Sequence, residues 1–224
     1  MTDGSAVGIL GGTFDPIHLA HLRLAEEAAD ALSLAEVRLI PSANPPHRDT
    51  PAASAEQRLA MVKLAIADNF RLKADDRELR RAAPSYTVDT LQSLRAELGP
   101  ERPLCLLMGA DAFLLLETWS RWTTLFDLAH IVVAWRPGHP PQHWTDHMGP
   151  ALRATFQARQ TDDPVRLRRA PAGSVFPLAI TQLDISANRI RELLAAGKSP
   201  RYLLPRIVLD YIEIQRLYRE TNAS

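Results

Sequence analysis

Short apolar runs rich in valine, isoleucine and leucine recur along the chain, and longer segments with apolar residues every three or four positions separate them. The runs are AVGIL (6–10), EVRLI (36–40), LCLLM (104–108), HIVVAW (130–135) and SVFPLAI (174–180). Strands that alternate with amphipathic helices are typical of a doubly wound parallel sheet with helices on both faces. The pattern therefore predicts an α/β fold whose strands all end at one edge, where ligands bind.

Polar residues and glycine mark where several of the helices begin and end. Ser54 and Gln57 form a capping-box pattern before QRLAMVKLAIA, and Ser85 precedes YTVDTLQSLRAEL. Ser186 precedes ANRIRELLAAG, and Gly197 is suited to the position just after that helix. These residues predict three helix starts and one helix end.

The chain reads as one Rossmann-like domain over residues 1–224, of which 185–224 form a C-terminal helical portion. RIVLDYIEIQRLY (206–218) predicts an amphipathic helix near the C-terminus. The segment 136–172 is the least regular and predicts loops around one helix. No internal repeat and no long linker interrupts this organisation.

Composition and charge narrow the class of protein. Lysine plus arginine equals aspartate plus glutamate at 26 each, so no net field favours nucleic acid or an anionic membrane as a partner. The single cysteine, Cys105, lies in an apolar run, which favours a buried thiol in a reducing compartment. MTDGSAVGIL lacks the pattern of a signal peptide. We expect a soluble cytoplasmic protein, with the oligomeric state, including a homo-oligomer, left open.

The stretch GILGGTFDPIHLAHLRLAEEA (8–28) carries the first candidate chemistry. Gly11 and Gly12 let the backbone turn and approach a ligand closely, and Pro16 suits the first turn of the following helix. His18 and His21 are three residues apart, so both rings lie on one helix face beside the positive helix terminus. A phosphate chain there would meet backbone amides, the helix dipole and two ring donors.

Neither common phosphate-loop pattern is present in this stretch. The glycines fit neither GxxxxGK[ST] nor GxGxxG, which disfavours a kinase-like protein or a dinucleotide oxidoreductase. Alternatively, His18 and His21 are simply two polar residues at a helix end. A zinc site is disfavoured, because no third ligand lies nearby in the sequence at a suitable spacing.

Two motifs resemble those of a known superfamily. GGTFDPIHLAH resembles the GTFDPxHxGH signature of the nucleotidyltransferases that share HxGH with class I aminoacyl-tRNA synthetases, and ISANRIR (185–191) resembles their ISSTxIR. The resemblance implies that His18, His21, Ser186 and Arg191 surround a nucleotide triphosphate during in-line attack on its α-phosphorus. The chain departs from the two patterns at Ala20, Ala187 and Asn188.

Five further stretches resemble consecutive segments of bacterial nicotinate-mononucleotide adenylyltransferases. They are IPSANPPHR (40–48), SYTVDTL (85–91), GADAFLLLETW (109–119), HIVVAWRPG (130–138) and SPRYLLP (199–205). By resemblance, the residues expected to bind ATP are Gly11, Gly12, Thr13, Phe14, Asp111 and Ile190. The residues expected to bind the pyridine nucleotide are Asn44, His47, Arg48, Thr87 and Trp119.

The implied reaction joins the phosphate of nicotinate mononucleotide to the AMP moiety of ATP, giving nicotinate adenine dinucleotide and pyrophosphate. The partners would be ATP and nicotinate mononucleotide, with Mg²⁺ carried by the ATP phosphates rather than by a protein metal site. Two alternatives remain open: the same chemistry on nicotinamide mononucleotide, and a nucleotide-binding regulatory module that has lost turnover.

Overall fold

The structure, a computed structural model, describes residues 6–43, 50–81, 86–135, 141–181 and 183–219. Six strands in these ranges form one fully parallel sheet in the order β3-β2-β1-β4-β5-β6. The strands are β1 (Val7–Gly12), β2 (Glu36–Pro41), β3 (Leu72–Ala74), β4 (Leu104–Gly109), β5 (His130–Trp135) and β6 (Val175–Ala179). The order reverses between β1 and β4, so the predicted doubly wound Rossmann-like sheet is confirmed.

Nine α-helices connect and follow the strands within the described ranges. They are α1 (Leu19–Leu32), α2 (Ala55–Ala65), α3 (Thr87–Leu98), α4 (Ala110–Leu114), α5 (Leu125–Leu128), α6 (Pro150–Arg159), α7 (Arg166–Arg169), α8 (Ala187–Ala195) and α9 (Arg206–Ile214). Short 3₁₀ helices cover Leu116–Thr118, Trp122–Thr124 and Pro141–His147. The prediction of a single helix in 136–172 was wrong, because α7 and a 3₁₀ helix accompany α6 there.

Alternating side chains of the strands feed two hydrophobic cores, one on each face of the sheet. In β4, Cys105 and Leu107 pack with α1, α2 and α9 on one face. Leu104 and Leu106 pack with α3, α5 and α6 on the other face. Because β4 and β5 are covered on both sides, each reads in sequence as a continuous apolar run rather than an alternating one. Cys105 is a free, fully buried thiol, as expected.

The helix boundaries follow local capping chemistry. Ser54 and Gln57 exchange hydrogen bonds between side chain and backbone at the start of α2. Gly197 follows α8 with φ +66°, a conformation that favours glycine. Tyr86 takes the N-cap position of α3 without a side-chain hydrogen bond, and Ser85 lies outside the described residues. The placement of Pro16 was wrong: α1 begins at Leu19, because His18 takes the N-cap position with extended backbone.

One arginine ties together the edge of the sheet where β4, β5 and β6 begin. The Arg95 guanidinium donates to the carbonyl oxygens of Leu128 and Pro171, at 2.8 and 2.6 Å, and to those of Gly99, Pro100 and Arg102. Burial lowers its pKa, yet arginine stays charged and suits several acceptors at once. The opposite edge, where the strands end, contains the cleft described in the next subsection. Within the described residues, no helix is both long and apolar enough to span a membrane.

Candidate active site

A cleft of about 940 Å³ opens at the edge where β1 and β4 end. Its walls come from the ends of these two strands, the loop after β1, residues 50–52, and the N-terminal halves of α1, α3 and α8. This is the point where the strand order reverses, at which doubly wound folds bind ligands. The cleft therefore lies where the strand pattern predicted a binding site.

Gly11, Gly12, Thr13 and Phe14, four of the residues predicted to bind ATP, all line the cleft. A Cβ built on Gly11 would meet no atom within 4 Å, so this glycine faces open space. A Cβ on Gly12 would lie 3.0 Å from the Phe14 ring. Phe14 itself has φ +51°, a strained conformation for a bulky residue that often marks a functional site.

His18 and His21 lie side by side at the start of α1. Their rings stack with centroids 3.7 Å apart, and the His18 backbone N–H donates to Nδ1 of His21 over 3.3 Å. The edge of the Phe14 ring packs against His21, with ring centroids 5.0 Å apart. Since Nδ1 of His21 accepts a hydrogen bond, neutral His21 carries its proton on Nε2 and can donate from that atom.

The two histidines differ in their exposure to the cleft. His21 lines it, whereas His18 is 5% exposed and is not part of the lining. Burial lowers the pKa of His18 to about 4, so its ring is neutral at pH 7. Of the two ring donors predicted to meet a phosphate chain, the structure places His21 on the cleft and His18 behind it.

Helix α8 contributes a cation to the same cleft. Arg191 lines it together with Ala187 and Asn188. One nitrogen of Arg191, Nη1, donates to the backbone oxygen of Asp15 over 2.6 Å, and Nη2 donates to the side-chain oxygen of Asn188. Asn188, a departure from the superfamily pattern, therefore orients the arginine.

Ser186 and Ile190 do not line the cleft. The exposed Ser186 caps α8, because its Oγ accepts from the backbone N–H of Arg189 at 3.2 Å. Its predicted capping function is confirmed. Ile190 is fully buried in the hydrophobic core, so the structure does not bring its side chain to the cleft.

The end of the cleft beneath α3 contains Thr87, Thr90, Trp119 and Glu78. Thr87 begins α3, and the Trp119 indole is half-buried. Thr90 lies one turn further along α3, and its hydroxyl donates to Oε1 of Glu78 over 2.6 Å. The two residues predicted to bind a pyridine ring and its carboxylate, Thr87 and Trp119, are thus in one pocket.

The other expected binding residues fall beside the cleft or outside the described ranges. Asp111 is exposed in the first turn of α4, between the lining residues Gly109 and Ala112, and is not itself part of the lining. Asn44, His47 and Arg48 lie outside the described residues. Residues 50–52 form the adjoining part of the wall.

Sequence reasoning missed two buried charged residues that hold the site together. Asp15, 4% exposed, accepts from the backbone N–H groups of Ala52 and Ala53 at 2.8 and 3.2 Å. Arg58, 1% exposed, donates to the backbone oxygens of Thr13 and Ala53 at 2.6 and 3.2 Å, and to that of Ala43 at 3.4 Å. Their signals in the sequence were weak, because each contacts segments far away along the chain.

The fold and the cleft define the class of protein. A doubly wound parallel sheet presents a glycine turn, a paired histidine and an arginine to one ligand site, as a nucleotidyltransferase requires. The family model described as cytidylyltransferase-like matches residues 9–193. The chain belongs to this family, and within it to the nicotinate-nucleotide adenylyltransferases, as the relatives described next show.

The chain is 53% identical over 214 residues to a protein of Aeromonas salmonicida named "Probable nicotinate-nucleotide adenylyltransferase", covering 95% of this chain and 97% of the relative. It is 51% identical to a protein of the same name from Dechloromonas aromatica, covering 96% and 98%. The solved structure of Plasmodium falciparum nicotinic acid mononucleotide adenylyltransferase complexed with NaAD superposes with a TM-score of 0.73 at 17% identity. That superposition covers 96% of this chain and 97% of the other, and it supports the fold.

Proposed function

We propose that the chain transfers the AMP moiety of ATP to the phosphate of nicotinate mononucleotide, giving nicotinate adenine dinucleotide and pyrophosphate. The observation that carries this proposal is the convergence of His21 and Arg191 on one cleft that also contains Thr87 and Trp119. A cationic and hydrogen-bonding end suits a triphosphate, and an aromatic end suits a pyridine ring. The names of the relatives at about 50% identity support the same reaction.

His21 and Arg191 act on the triphosphate. His21 donates from Nε2 to an oxygen that gains charge as the bond to pyrophosphate breaks, and the Arg191 guanidinium neutralises the leaving phosphates. The phosphate of the pyridine nucleotide is already a nucleophile, so the reaction needs neither a covalent protein intermediate nor a strong base. Positioning and charge stabilisation carry the rate.

Other residues around the cleft position the nucleotides. Gly11 lets the nucleotide approach the backbone closely, and Asp111 accepts from a ribose hydroxyl at the edge of the cleft. Ser186 keeps a hydroxyl proton that can be donated to a phosphate oxygen while its own oxygen caps α8. The expected contacts of Asn44, His47 and Arg48 with the substrate phosphate remain part of the proposal.

Thr87 and Trp119 select the pyridine nucleotide. The indole of Trp119 stacks on the pyridine ring, and the first amides of α3 together with the Thr87 hydroxyl donate to the nicotinate carboxylate. Backbone N–H groups cannot accept from the NH₂ group of an amide. Preference for the acid over nicotinamide mononucleotide follows from that asymmetry.

Mg²⁺ enters as part of the MgATP substrate in this proposal. Among the described residues, no group of three or more histidine, cysteine, aspartate or glutamate side chains is arranged to hold a metal ion. His21 and Arg191, which line the cleft, would donate to phosphate oxygens, and Mg²⁺ brought with ATP would neutralise further phosphate charge. The proposal also places the enzyme in the cytoplasm as a single domain, with a buried, reduced Cys105.

The test measures pyrophosphate release from MgATP by the purified protein, with nicotinate mononucleotide and nicotinamide mononucleotide as parallel acceptors. Mass spectrometry identifies the dinucleotide. We expect fast release with the acid and little with the amide. Equal release with both acceptors would contradict the carboxylate pocket at Thr87, and ATP binding without release would favour the regulatory-module alternative.

Trp119→Ala tests the aromatic end of the cleft in the same assay. Loss of stacking on one ring costs about 1–3 kcal/mol, so KM for the acid acceptor should rise about tenfold or more while KM for ATP changes little. Trp122→Phe is the matched control, because Trp122 packs edge-on against Phe126 and is not part of the cleft lining. An unchanged acceptor KM in Trp119→Ala would remove the stacking role.

A further inference from the structure

Arg191, the cation of the proposed phosphate site, is held by a buried cluster built around Asp15. The Asp15 backbone oxygen accepts from Nη1 of Arg191 at 2.6 Å, and Oδ2 of the Asp15 side chain lies 3.8 Å from the same nitrogen. The Arg191 side chain is about one-third exposed, whereas that of Asp15 is 5% exposed. The arginine therefore spans from a buried anion to the open cleft.

Tyr218 completes the coordination of the Asp15 carboxylate from the far end of the chain. Its hydroxyl donates to Oδ1 of Asp15 over 2.6 Å, although the two residues are 203 positions apart in sequence. Tyr218 lies four residues beyond the end of α9 with φ +61°, and its ring packs against the core under α1 and α9. A tyrosine in the left-handed region is strained, so the surrounding contacts must hold it there.

The Asp15 carboxylate is satisfied at each of its oxygens. Oδ1 accepts from Tyr218 and from the Ala53 N–H, and Oδ2 accepts from the Ala52 N–H and faces Arg191. A buried carboxylate needs such partners, because burial without them costs several kcal/mol. Removing one donor therefore changes how the charge is shared among those that remain, including Arg191.

We propose that Asp15 and Tyr218 are positioning residues that fix the guanidinium of Arg191 at the phosphate end of the cleft. Tyr218 is not part of the cleft lining. Asp15 is, but both oxygens of its carboxylate already accept from protein donors, so both side chains act through the arginine. The inference rests on the proposed function only because the test measures that reaction. The positions of the three side chains do not depend on which nucleotide is transferred.

The test is a double-mutant cycle between Tyr218 and Arg191. Tyr218→Phe removes one hydroxyl and keeps the ring, and Tyr211→Phe is the matched control because Tyr211 packs against the same core from α9 and is not part of the cleft lining. We expect Tyr218→Phe to lower kcat/KM for MgATP about tenfold, with KM for the pyridine nucleotide and the urea midpoint close to those of Tyr211→Phe.

The second half of the cycle separates positioning from a general structural role. In an Arg191→Ala background, Tyr218→Phe should change kcat/KM for MgATP less than twofold, because the residue through which it acts is gone. Losses that multiply in the double variant would overturn the proposal. So would a Tyr218→Phe enzyme that behaves like Tyr211→Phe. Asp15→Asn, which keeps an acceptor oxygen and removes the charge, should behave like Tyr218→Phe toward Arg191→Ala.

A binding measurement distinguishes failure of this inference from failure of the proposed reaction. If the wild-type chain released no pyrophosphate with either acceptor, the proposed reaction would fall. The same cycle would then be measured by titration calorimetry with a non-hydrolysable ATP analogue and Mg²⁺. Tyr218→Phe should weaken that binding in the wild-type background and leave it unchanged in Arg191→Ala, and equal weakening in both would overturn the positioning role.

Discussion

The backbone N–H of His18 donates to Nδ1 of His21, and the rings of the two histidines stack 3.7 Å apart. This arrangement gives similar residues different tasks. His18 is buried and neutral, and it orients His21, which alone of the pair lines the cleft. Their different surroundings predict that the two positions respond differently to substitution and to pH.

His21→Ala should lower kcat for pyrophosphate release by about a hundredfold to a thousandfold, because it removes a donor aimed at charge that develops in the transition state. The urea midpoint should change little, since the His21 ring faces the open cleft on one side. Steady-state kinetics and urea unfolding check both points. His143→Ala, at an exposed position, is the control, and turnover within threefold of wild type in His21→Ala would exclude the proposed role.

The buried His18 ring should make the free energy of unfolding depend on pH between about 6.5 and 4. In this window the unfolded chain binds a proton on His18 and the folded chain does not, so stability falls as pH falls. Above pH 6.5 both states are neutral and the effect vanishes.

His18→Asn removes that proton linkage and provides the comparison. From pH 7.5 to 5.5, wild type should lose about 1 kcal/mol more unfolding free energy than His18→Asn, measured by urea titration at each pH. Burial also lowers the pKa of His130, but His130 is present in both proteins and its contribution cancels. Equal losses would mean that the His18 ring is solvated in the folded protein.

Gly11→Ala should impair ATP binding while leaving the fold stable. The added Cβ meets no protein atom within 4 Å, so the unfolding free energy should stay within about 0.5 kcal/mol of wild type. The same methyl group occupies the space through which a nucleotide approaches the backbone, and KM for MgATP should rise about tenfold.

Gly12→Ala is the contrasting variant, because its Cβ would lie 3.0 Å from the Phe14 ring. It should lose stability as well as activity. If Gly11→Ala bound MgATP with the wild-type KM, the nucleotide would have to lie elsewhere in the cleft.

Arg58→Met should lower the unfolding free energy by about 3 kcal/mol or more. The substitution leaves the buried carbonyl oxygen of Ala53 and the half-buried carbonyl oxygens of Thr13 and Ala43 without their charged donor, and it removes a buried charge from its partners. Lys63→Met on the same helix is the control, since Lys63 is exposed and its loss should cost about 0.5 kcal/mol or less. Urea unfolding of both variants checks the difference, and similar values would show that the three carbonyls find water instead.

The apolar runs located five strands to within two residues at each end, because strands covered on both faces are mostly apolar. The sixth, β3, was missed. It is three residues long and only Leu72 is buried, so it carries no periodic signal. It forms because its backbone pairs with the edge of β2 that β1 leaves free.

The residues of the cleft were easier to find than the residues that support them. Gly11, His21 and Arg191 belong to local motifs whose spacing has a direct chemical reason. Asp15 and Arg58 depend on partners in other segments, and Tyr218 was the last residue of the segment 206–218, which the pattern predicted as an amphipathic helix. These contacts join segments that are distant in sequence, so the partners of Asp15 could not be assigned even though it lies within the GGTFDPIHLAH motif.

The hydrogen bonds of Arg95 tolerate substitution of the residues that accept them. These bonds fasten the starts of three strands at the edge opposite the cleft, through carbonyl oxygens rather than particular side chains. Because backbone oxygens survive almost any substitution, neighbouring residues there are free to vary without loosening the fastening. Sequence change at the strand starts can therefore proceed with the Arg95 hydrogen bonds intact and without altering the residues that line the cleft.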